Sequence, residues 1–531
     1  MHDASREAAK DDPVSGVAPK LDAASELKTA YKLFVLAVLV AANVLNYADR
    51  AVLGALAGPI KHDLGMTDAQ LGFMAGTSFV LFNAIVGIAM GGVGDRWRRN
   101  RLLMFGVGLW SGMTMLSGAA TSYVQLVLAR IGVGVGEATI GSVGYSMLAD
   151  VFTARRRGLV FSIFLCGPFI GISLSLALGG WLVQNWPGQC GVGLCALKGW
   201  QAAFIVFGLP GLVVAALALL VGEPVQEKIA LSAGKAKPFA EGVHELSLLV
   251  PPFATFQIWR LGGARAGTIN LAAGAAVAMV AVLLVWLTGS VAQWLAVGVA
   301  AYGLISWCQA QPYRDPAFCR LTVGSPIFWA VIFGGAMVAA LHGTMSFWSI
   351  PFATRQFGMS YAEAGGSLGA AIGGGSLLGT LIGGFAADRW RRVDRAAPLY
   401  IAAICAGAGA ILLTVILTAG NKVEFVLATA ALMVFLGAWP AGVTALMQDL
   451  VLPMMRARAA ALYVCCLTLI AGSTGPYAVG RIADLTGSIR TGLSCLYILV
   501  PGSILLLLFA VRRLPAAYLE RDLLQARQRT T

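Results

Sequence analysis

The sequence predicts an all-α polytopic membrane protein made of two six-helix bundles in a pseudo-twofold repeat, with a two-helix hairpin inserted between them. Three observations lead to this prediction. First, 58% of the residues are hydrophobic and 12% are charged, whereas about a quarter of the residues in a soluble domain are charged. Second, apolar stretches of about twenty residues recur along the chain, and each could cross a ~30 Å hydrocarbon core as a helix. Third, motifs in the first half of the chain return in the second half at a constant offset.

The apolar stretches predict fourteen transmembrane helices. They lie near residues 31–58, 69–93, 102–120, 123–148, 157–183, 200–221, 267–288, 290–311, 325–350, 362–387, 396–418, 423–448, 458–480 and 491–511. We therefore expect five regions: a disordered cytosolic tail (1–30), an N-terminal six-helix bundle (31–221), a cytosolic linker carrying two extra helices (222–324), a C-terminal six-helix bundle (325–511) and a cytosolic tail (512–531).

The distribution of Lys and Arg agrees with this helix count and predicts the orientation. With both termini on one side, that side holds 30 of the 38 basic residues and the other side holds six. The remaining two, Arg50 and Arg130, lie inside predicted helices. Cytosolic loops carry an excess of Lys and Arg, so both termini are predicted to be cytosolic in a bacterial-type inner membrane. The net charge of +13 belongs to these loops and does not indicate nucleic-acid binding.

The internal repeat has an offset of 293 residues. Gly65-Met66-Thr67 recurs as Gly358-Met359-Ser360, and Asp95 in GGVGDRWRRNR recurs as Asp388 in GGFAADRWRRVD. A central site between two such halves is the arrangement expected of a secondary transporter.

The segment Asn46-Tyr47-Ala48-Asp49-Arg50 places two opposite charges inside the first long apolar run. A charged side chain at the centre of a membrane helix costs about 2.5–3.5 kcal/mol on insertion scales, so it usually faces a protein interior and carries function. We therefore predict that Asp49 and Arg50 belong to the functional site.

The sequence contains few signs of enzymatic chemistry or of cofactor binding. We find no Ser/His/Asp set, no metal-ligand cluster and no phosphate-cradling loop of the Walker type. We therefore expect no catalytic activity, no cofactor and no metal. Cys190 and Cys195 share the polar hairpin NWPGQCGVGLCALK, where an oxidising compartment would permit a disulfide. Two unpaired thiols are the alternative.

The loop Gly91-x-x-x-Asp95-Arg96-x-x-Arg99 resembles the signature loop of the major facilitator superfamily, although Arg98 replaces its usual glycine. The resemblance covers roughly 31–221 and 322–511 and implies the major facilitator fold. In that family the loop helps to close the cytosolic gate. By this resemblance the gate residues are Asp95, Arg96, Arg99, Asp150, Arg156, Asp388, Arg389, Arg392, Asp449 and Arg456. An ordinary basic loop is the alternative.

The fourth predicted helix carries Arg130-x-x-x-Gly134-x-Gly136-Glu137-Ala138, which resembles the superfamily motif associated with proton coupling. Arg130 and Glu137 are two turns apart, so both face nearly the same way. A purely structural set of charges is the alternative. Together with Asn46-Tyr47-x-Asp49-Arg50, this motif most resembles the spinster branch, which implies proton-linked movement of lipid-like molecules.

A mechanism follows from these charges as a hypothesis. Adjacent helical residues diverge by about 100°, so Arg50 can face Glu137 on the fourth helix while Asp49 competes for it. Separating such a pair changes the proton affinity of the carboxyl group. Asp49, Arg50, Arg130 and Glu137 sum to zero formal charge, so protonating either acid leaves a cationic site that favours an anionic head group.

The 293-residue offset applied to Asp49 leads to His342, which is predicted to approach the central cavity or to be a packed histidine. Further cavity-lining candidates, for which packing is the alternative, are Asn46, Tyr47, Tyr145, Trp348, Trp439 and Gln448. The expected partners are a small-molecule or lipid-like substrate, protons and the bilayer, and we expect a monomer. Two other functions stay open: a drug/proton antiporter, whose helix-5 motif is incomplete here, and a sensor or interaction protein on a transporter scaffold.

Overall fold

The computed structural model describes residues 28–94, 98–187, 197–222, 243 and 246–530. The N-terminal helices, which precede the polar linker, are α1 (Thr29–Leu64), α2 (Asp68–Ala75), α3 (Thr77–Gly94), α4 (Arg99–Gly118), α5 (Tyr123–Glu137), α6 (Ile140–Val151), α7 (Ala154–Asn185) and α8 (Gly199–Ala218).

Two long helices and one short helix follow the linker: α9 (Phe253–Thr288), α10 (Val291–Arg314) and α11 (Pro316–Leu321). The C-terminal helices are α12 (Pro326–Phe357), α13 (Tyr361–Gly369), α14 (Gly375–Arg391), α15 (Ala397–Thr418), α16 (Lys422–Ala438), α17 (Pro440–Asp449), α18 (Arg456–Thr486), α19 (Ile489–Ser494) and α20 (Leu499–Thr530). A π-helical segment, Ala370–Gly374, joins α13 to α14.

Within the described ranges, twelve helices are long and apolar enough to cross a membrane, and they include α9 and α10. Two of the fourteen predicted spans are not among them. The helix Arg99–Gly118 begins with charged residues and is rich in Gly and Ser. The predicted span 123–148 is divided into α5 and α6 by a turn at Ala138 and Thr139, so neither piece has the length of a full crossing.

Two helices extend beyond the spans predicted for them. Helix α9 begins at Phe253, before the predicted start near residue 267, and its helical path is interrupted at Gly263. Helix α20 continues to Thr530, through residues that were predicted as a cytosolic tail from residue 512. Its extension, PAAYLERDLLQARQR, is polar but consists mostly of good helix formers, and hydropathy alone does not detect such a helix. Residues 1–27 of the predicted disordered tail lie outside the described residues.

The N-terminal helices pack mainly among themselves, with α1 against α7 and α4 against α5 and α8. The C-terminal helices do the same, with α12 against α18 and α20 and α14 against α16. The two groups meet mainly where α2 and α3 pack against α18 and where α7 packs against α13 and the π-helical segment, and α1 also contacts α12. Much of the core consists of side chains with almost no exposed surface, among them Trp110, Phe204 and Trp348.

Glycines allow α2 to approach α18 and α7 to approach α13 within backbone contact. A Cβ atom on Gly72 would collide with the backbone of Pro476, and one on Gly365 would collide with the backbone of Leu176. Both contacts lie toward the turns at Gly65 and Gly358, which we call the outer end because the charge distribution predicts that it faces away from the cytosol. The contact of α2 and the start of α3 with α18 is called the outer seam below.

The inserted hairpin consists of α9 and α10 packed against each other. Asn270, which is fully buried, donates to Ser306 and Gln309 and accepts from Tyr302, so side-chain hydrogen bonds join the two helices. In contrast, the outer surface of α9 is apolar and exposed, as Val282 (68% exposed) and Trp286 (78%) illustrate. This distribution suits a helix that faces lipid on one side.

Candidate functional site

The charged residues predicted inside the first and fourth spans meet in one buried cluster of the N-terminal helices. Asp49 and Arg50 lie near the middle of α1, while Arg130 and Glu137 lie on α5. Asp49, Arg130 and Glu137 are each no more than 2% exposed. Because burial without partners would be costly for each charge, the cluster depends on mutual compensation.

Arg50 forms an ion pair with Glu137. Its Nε donates to Glu137 Oε2 at 2.6 Å, and the Arg50 side chain is 28% exposed whereas that of Glu137 is not exposed. This is the partner expected from the sequence. The Arg50 guanidinium also lies over the rings of Tyr47 and Phe79, 5.0 and 4.9 Å from their centroids, positions that favour a cation.

Asp49 points to a different partner. Its Oδ2 accepts a hydrogen bond from the hydroxyl of Thr114 on α4 at 2.9 Å, and Thr114 is fully buried. Its Oδ1 is buried and has no hydrogen-bond partner among the described residues. The sequence hypothesis that Asp49 competes for Arg50 therefore needs a second arrangement of these side chains.

Arg130 is a buried cation held by its surroundings rather than by a direct salt bridge. One guanidinium nitrogen donates to the backbone oxygen of Asp49 at 3.3 Å, and the group lies 5.6 Å from the ring centroid of Phe79. Nε and the other terminal nitrogen have no partner within the described part of the chain, and the same holds for Oε1 of Glu137. Unused donors and acceptors thus lie within one cluster.

Phe79 contacts both cations, because Arg50 and Arg130 each lie within 6 Å of its ring centroid. The backbone of α3 approaches α5 closely here: a Cβ on Gly134 would lie 2.6 Å from the carbonyl oxygen of Phe79. Sequence reasoning identified neither Phe79 nor Thr114, since a Phe or a Thr in an apolar helix carries no functional signal until its neighbours are known.

Glu137 is the last residue of α5, and the chain turns at Ala138 and Thr139 before α6 begins. The Thr139 hydroxyl and backbone nitrogen both donate to the Gly136 carbonyl, at 2.9 and 3.3 Å. Interrupted helices are a common way of placing backbone and side-chain polar groups at a transport site. The break therefore lies directly beside the Glu137 carboxylate.

His342 lies apart from this cluster, on α12, where its Nε2 is 2.9 Å from the Ser376 hydroxyl of α14. Its role in a cavity stays a prediction. Three of the lining candidates do not line an open cavity in this state, since Asn46, Trp348 and Trp439 are at most 2% exposed. Trp348 donates to the Pro476 carbonyl at 3.1 Å. The other three candidates are at least partly exposed: Tyr47, Tyr145 and Gln448.

At the opposite end from the outer seam, each group of helices contains an ion pair that includes a predicted gate residue. Arg99 of α4 binds both Ser146 and Asp150 of α6, and Arg99 and Asp150 are both gate candidates. Asp449 of α17 is bound by Arg391 of α14, which was not among the predicted gate residues.

Some of the remaining gate candidates are exposed, and others lie outside the described residues. Asp95 and Arg96 lie outside the described residues. Asp388, Arg389 and Arg392 are exposed and form no ion pair with the described part of the chain. Arg156 and Arg456 are also exposed. Cys190 and Cys195 lie outside the described ranges.

The outer seam carries a charged contact that sequence reasoning missed. Asp68, at the start of α2, accepts two hydrogen bonds from Arg355 of α12, at 2.7 and 2.8 Å, and one ion pair from Lys61 at 2.8 Å. The Asp484 carboxylate of α18 accepts from the backbone nitrogens of Asp68 and Ala69, both at 2.8 Å. A signal was available, because Asp68 and Arg355 both flank the repeated Gly-Met-Thr/Ser motif.

Comparison with known families gives a clear match. The sequence model described as "Major Facilitator Superfamily" matches residues 39–476. An "MFS-type efflux pump" of Mycolicibacterium smegmatis is 28% identical over 455 residues, which are 84% of this chain and 83% of that protein. The "Sphingosine-1-phosphate transporter SPNS2" of Danio rerio is 31% identical over 158 residues, 29% of this chain and 31% of that protein.

The fold also matches solved structures. A bacterial homolog of the human lysosomal transporter Spinster, in an inward-facing and unoccupied conformation, aligns with a TM-score of 0.66 and 20% sequence identity, covering 93% of this chain and 99% of that one. The D-xylose-proton symporter aligns with a TM-score of 0.58 and 15% identity, covering 90% of this chain and 97% of that one. The expected resemblance to spinster-like transporters is thereby confirmed.

Proposed function

The chain belongs to the Major Facilitator Superfamily, and we propose that it is a proton-coupled secondary transporter that moves an amphipathic or lipid-like organic anion by alternating access. The single observation that carries this proposal is the buried ion pair of Arg50 with Glu137, next to Asp49 and Arg130. The cluster contains two carboxylates and two guanidinium groups, so its net charge rises by one when a carboxylate binds a proton.

The coupling step is a change of partner around Arg50. In the described state Arg50 holds Glu137, and Thr114 holds Asp49. A proton on Glu137 would weaken its bond with Arg50, because a neutral carboxyl group no longer attracts the guanidinium. Arg50 would then be free to bind Asp49 or the anionic group of a substrate, which ties protonation to substrate binding.

The state of the outer seam supports alternating access. The bonds of Asp68 with Arg355 and of Asp484 with the start of α2 hold the outer end closed. The ion pairs Arg99–Asp150 and Arg391–Asp449 at the other end lie within one group of helices each, so they would not oppose separation of the groups there. This combination fits a transporter open toward the cytosol.

The substrate class rests on charge and on similarity. Arg130 has two unpartnered buried nitrogens within the described residues, and a cation in this condition favours an anion. The similarity to a protein named as a sphingosine-1-phosphate transporter points to an anionic lipid-like molecule with a small charged head group.

The topology that accompanies this function has fourteen spans in two six-helix bundles plus the inserted hairpin. Arg99–Gly118 and the pair α5–α6 would supply the third and fourth spans in addition to the twelve candidates among the described helices. We propose a monomer in a bacterial-type inner membrane with cytosolic termini, as the distribution of basic residues favours.

Proton-driven transport in proteoliposomes tests the proposal. With an imposed pH gradient and a fluorescent lysophospholipid as the probe, Glu137→Gln and Asp49→Asn are each expected to reduce transport at least tenfold. The matched control is Glu363→Gln, which alters an exposed carboxylate paired with Lys422 and should leave transport unchanged. Undiminished pH-driven transport in both site variants would exclude the proposed coupling.

Drug/proton antiport is a second candidate, and the similarity to an efflux pump over 84% of the chain favours it. A thermal-shift screen separates the two. Stabilisation by lysolipids and organic anions, reduced by Arg130→Gln, would support the anion proposal. Stabilisation by cationic drugs alone would support drug export. Ligand binding without counterflow in proteoliposomes would instead favour a sensor.

A further inference from the structure

One residue of the inserted hairpin, Gln293, forms hydrogen bonds with both sides of the outer seam. This side chain is 1% exposed and lies near the start of α10. Its Oε1 accepts from the Thr77 hydroxyl of α3 at 2.7 Å, while its Nε2 donates to the Ser473 carbonyl of α18 at 2.8 Å. Thr77 and Ser473 are themselves buried and lie on opposite sides of the seam.

We propose that Gln293 makes the inserted hairpin a clasp that stabilises the closed state of the outer seam. The amide can serve the two helices at once only while α3 and α18 stay together. Opening the seam must break at least one of its two bonds, and the freed group would be left in an apolar, buried setting, where an unsatisfied polar group is costly. The clasp rests on the proposed function, because it requires a seam that opens.

The hairpin is attached to both sides of the seam by further contacts. Along α18 the hairpin is attached at three levels: the Trp294 ring lies edge-on to Tyr477 at 5.8 Å, Gln293 bonds Ser473, and Arg458 binds Asp315 at the other end. The Arg458 guanidinium also lies 4.2 Å from the ring centroid of Phe318 on α11.

On the other side of the seam, the hairpin bonds Thr77 of α3, and Trp294 packs near Ala69 and Phe73. The backbone of α10 also packs against α3, so the hairpin is attached to both sides of the seam. The Thr77 oxygen lies 2.7 Å from the Ser473 carbonyl oxygen as well, and its single proton can serve either that carbonyl or Gln293 Oε1. Thr77, Gln293 and Ser473 therefore form one connected group across the seam.

This placement explains why an insertion between the two repeats is compatible with transport. A hairpin that joins the two groups at the seam through a few hydrogen bonds stabilises their closed arrangement, and breaking those bonds lets the seam open. It would then adjust the balance between the closed and open states. The α7–α13 contact, which is the other close contact at the outer end, is not covered by the hairpin in the described ranges.

The test measures the seam directly, by distances between two spin labels in the full-length protein in lipid nanodiscs. Suitable label sites are His62, whose side chain is 92% exposed at the end of α1, and Leu485, which is 68% exposed at the end of α18. In the otherwise native protein we expect a dominant short distance and a minor long distance. Loss of one buried hydrogen bond should raise the long-to-short ratio about two- to tenfold in Gln293→Leu.

Thr77→Val removes the partner from the other side and should raise the ratio at least as much, since it also removes the direct contact with Ser473. The double variant should resemble Thr77→Val alone, because both changes break one connected group. The matched control is Gln309→Leu, which removes a hairpin amide bonded to Asn270 and to the Ala266 carbonyl but away from the seam. It should leave the ratio unchanged.

The outcomes separate the clasp from the proposed function. If the native protein shows a single distance under every substrate and pH condition, alternating access itself is contradicted. If the native protein shows two distances but Gln293→Leu and Thr77→Val leave their ratio as it was, the clasp is overturned and alternating access stands. An equal shift in Gln309→Leu would also overturn it, because the effect would then come from loosening the hairpin in general.

Discussion

Asp49 and Glu137 lie in the same buried cluster, yet they have different partners. Glu137 is bonded to Arg50 and Asp49 to Thr114. The sequence could predict the charged members, because a charge inside an apolar span is expensive and therefore informative. It could not predict Thr114 or Phe79, whose importance comes only from the helices that pack beside α1.

Thr114→Val is predicted to slow proton-driven transport about tenfold or more and to lower the thermal stability of the protein. The substitution keeps the shape of the side chain but removes the donor to the Asp49 carboxylate, and a hydrogen bond to a charged group is worth about 1.5–3 kcal/mol. Initial rates in proteoliposomes measure the effect. Ser117→Ala on the same helix, where the hydroxyl bonds only the Met113 carbonyl, serves as the control. Equal rates in Thr114→Val and the native protein would show that Asp49 does not need this partner.

At the scale of helices, equivalent positions of the two repeats are both irregular. The chain departs from helical geometry at Gly76, between α2 and α3, and the π-helical segment starts at Ala370, close to the position that the 293-residue offset predicts. Both irregularities lie where helices of the two groups approach within backbone contact. The repeated motif predicted the equivalence of these helices, but runs of glycine do not reveal where a helix is distorted.

Gly72→Val should destabilise the closed outer seam by about 1–3 kcal/mol, because the added carbons would enter the space of the Pro476 backbone and overpack the contact. Thermal unfolding of the purified protein in detergent measures this. Gly87→Val on α3 is the matched control, since a Cβ there meets nothing within 4 Å among the described residues. If both variants unfold at the same temperature, the close approach of α2 to α18 does not contribute to stability.

The two helices that extend beyond their predicted spans have a common physical cause. Hydropathy detects the part of a helix that crosses lipid, and α9 and α20 each continue beyond that part. The stretch from Phe253 to Gly262 precedes the apolar part of α9, and the stretch after Arg512 follows the apolar part of α20. Helix formation there depends on propensity and tertiary contacts, such as Arg521 donating to the Asp449 carbonyl at 2.7 Å.

At the scale of the whole molecule, the two halves repeat in sequence but differ in their buried charged residues. The ion pairs Arg99–Asp150 and Arg391–Asp449 lie in corresponding parts of the two groups of helices; the repeated loop motif indicated these regions but not which residues pair. The cluster of four charges, three of which are at most 2% exposed, lies in the N-terminal helices, whereas His342 occupies the equivalent position in the C-terminal helices. The sequence offset predicted this asymmetry.

Arg355→Gln is predicted to favour the outer-open state about two- to fivefold, because it removes the two hydrogen bonds that join α12 to Asp68. The effect stays modest since the Arg355 side chain is 35% exposed and Lys61 still faces Asp68. Labelling rates of a cysteine placed at Ser473, beneath the seam, report the change. Lys422→Gln, which breaks an exposed pair within the C-terminal helices, should label as slowly as the native protein. If Arg355→Gln is labelled at the native rate, this ion pair does not help to close the outer end.

The central claim is that Glu137 carries the proton that is exchanged during transport. The most direct measurement is the pH inside proteoliposomes, followed with an enclosed dye while a lysophospholipid gradient drives transport. The native protein should give a substrate-dependent pH change, and Glu137→Gln should give none while still exchanging labelled for unlabelled substrate. A pH change of native size in Glu137→Gln, or substrate exchange without any pH change in the native protein, would contradict the claim.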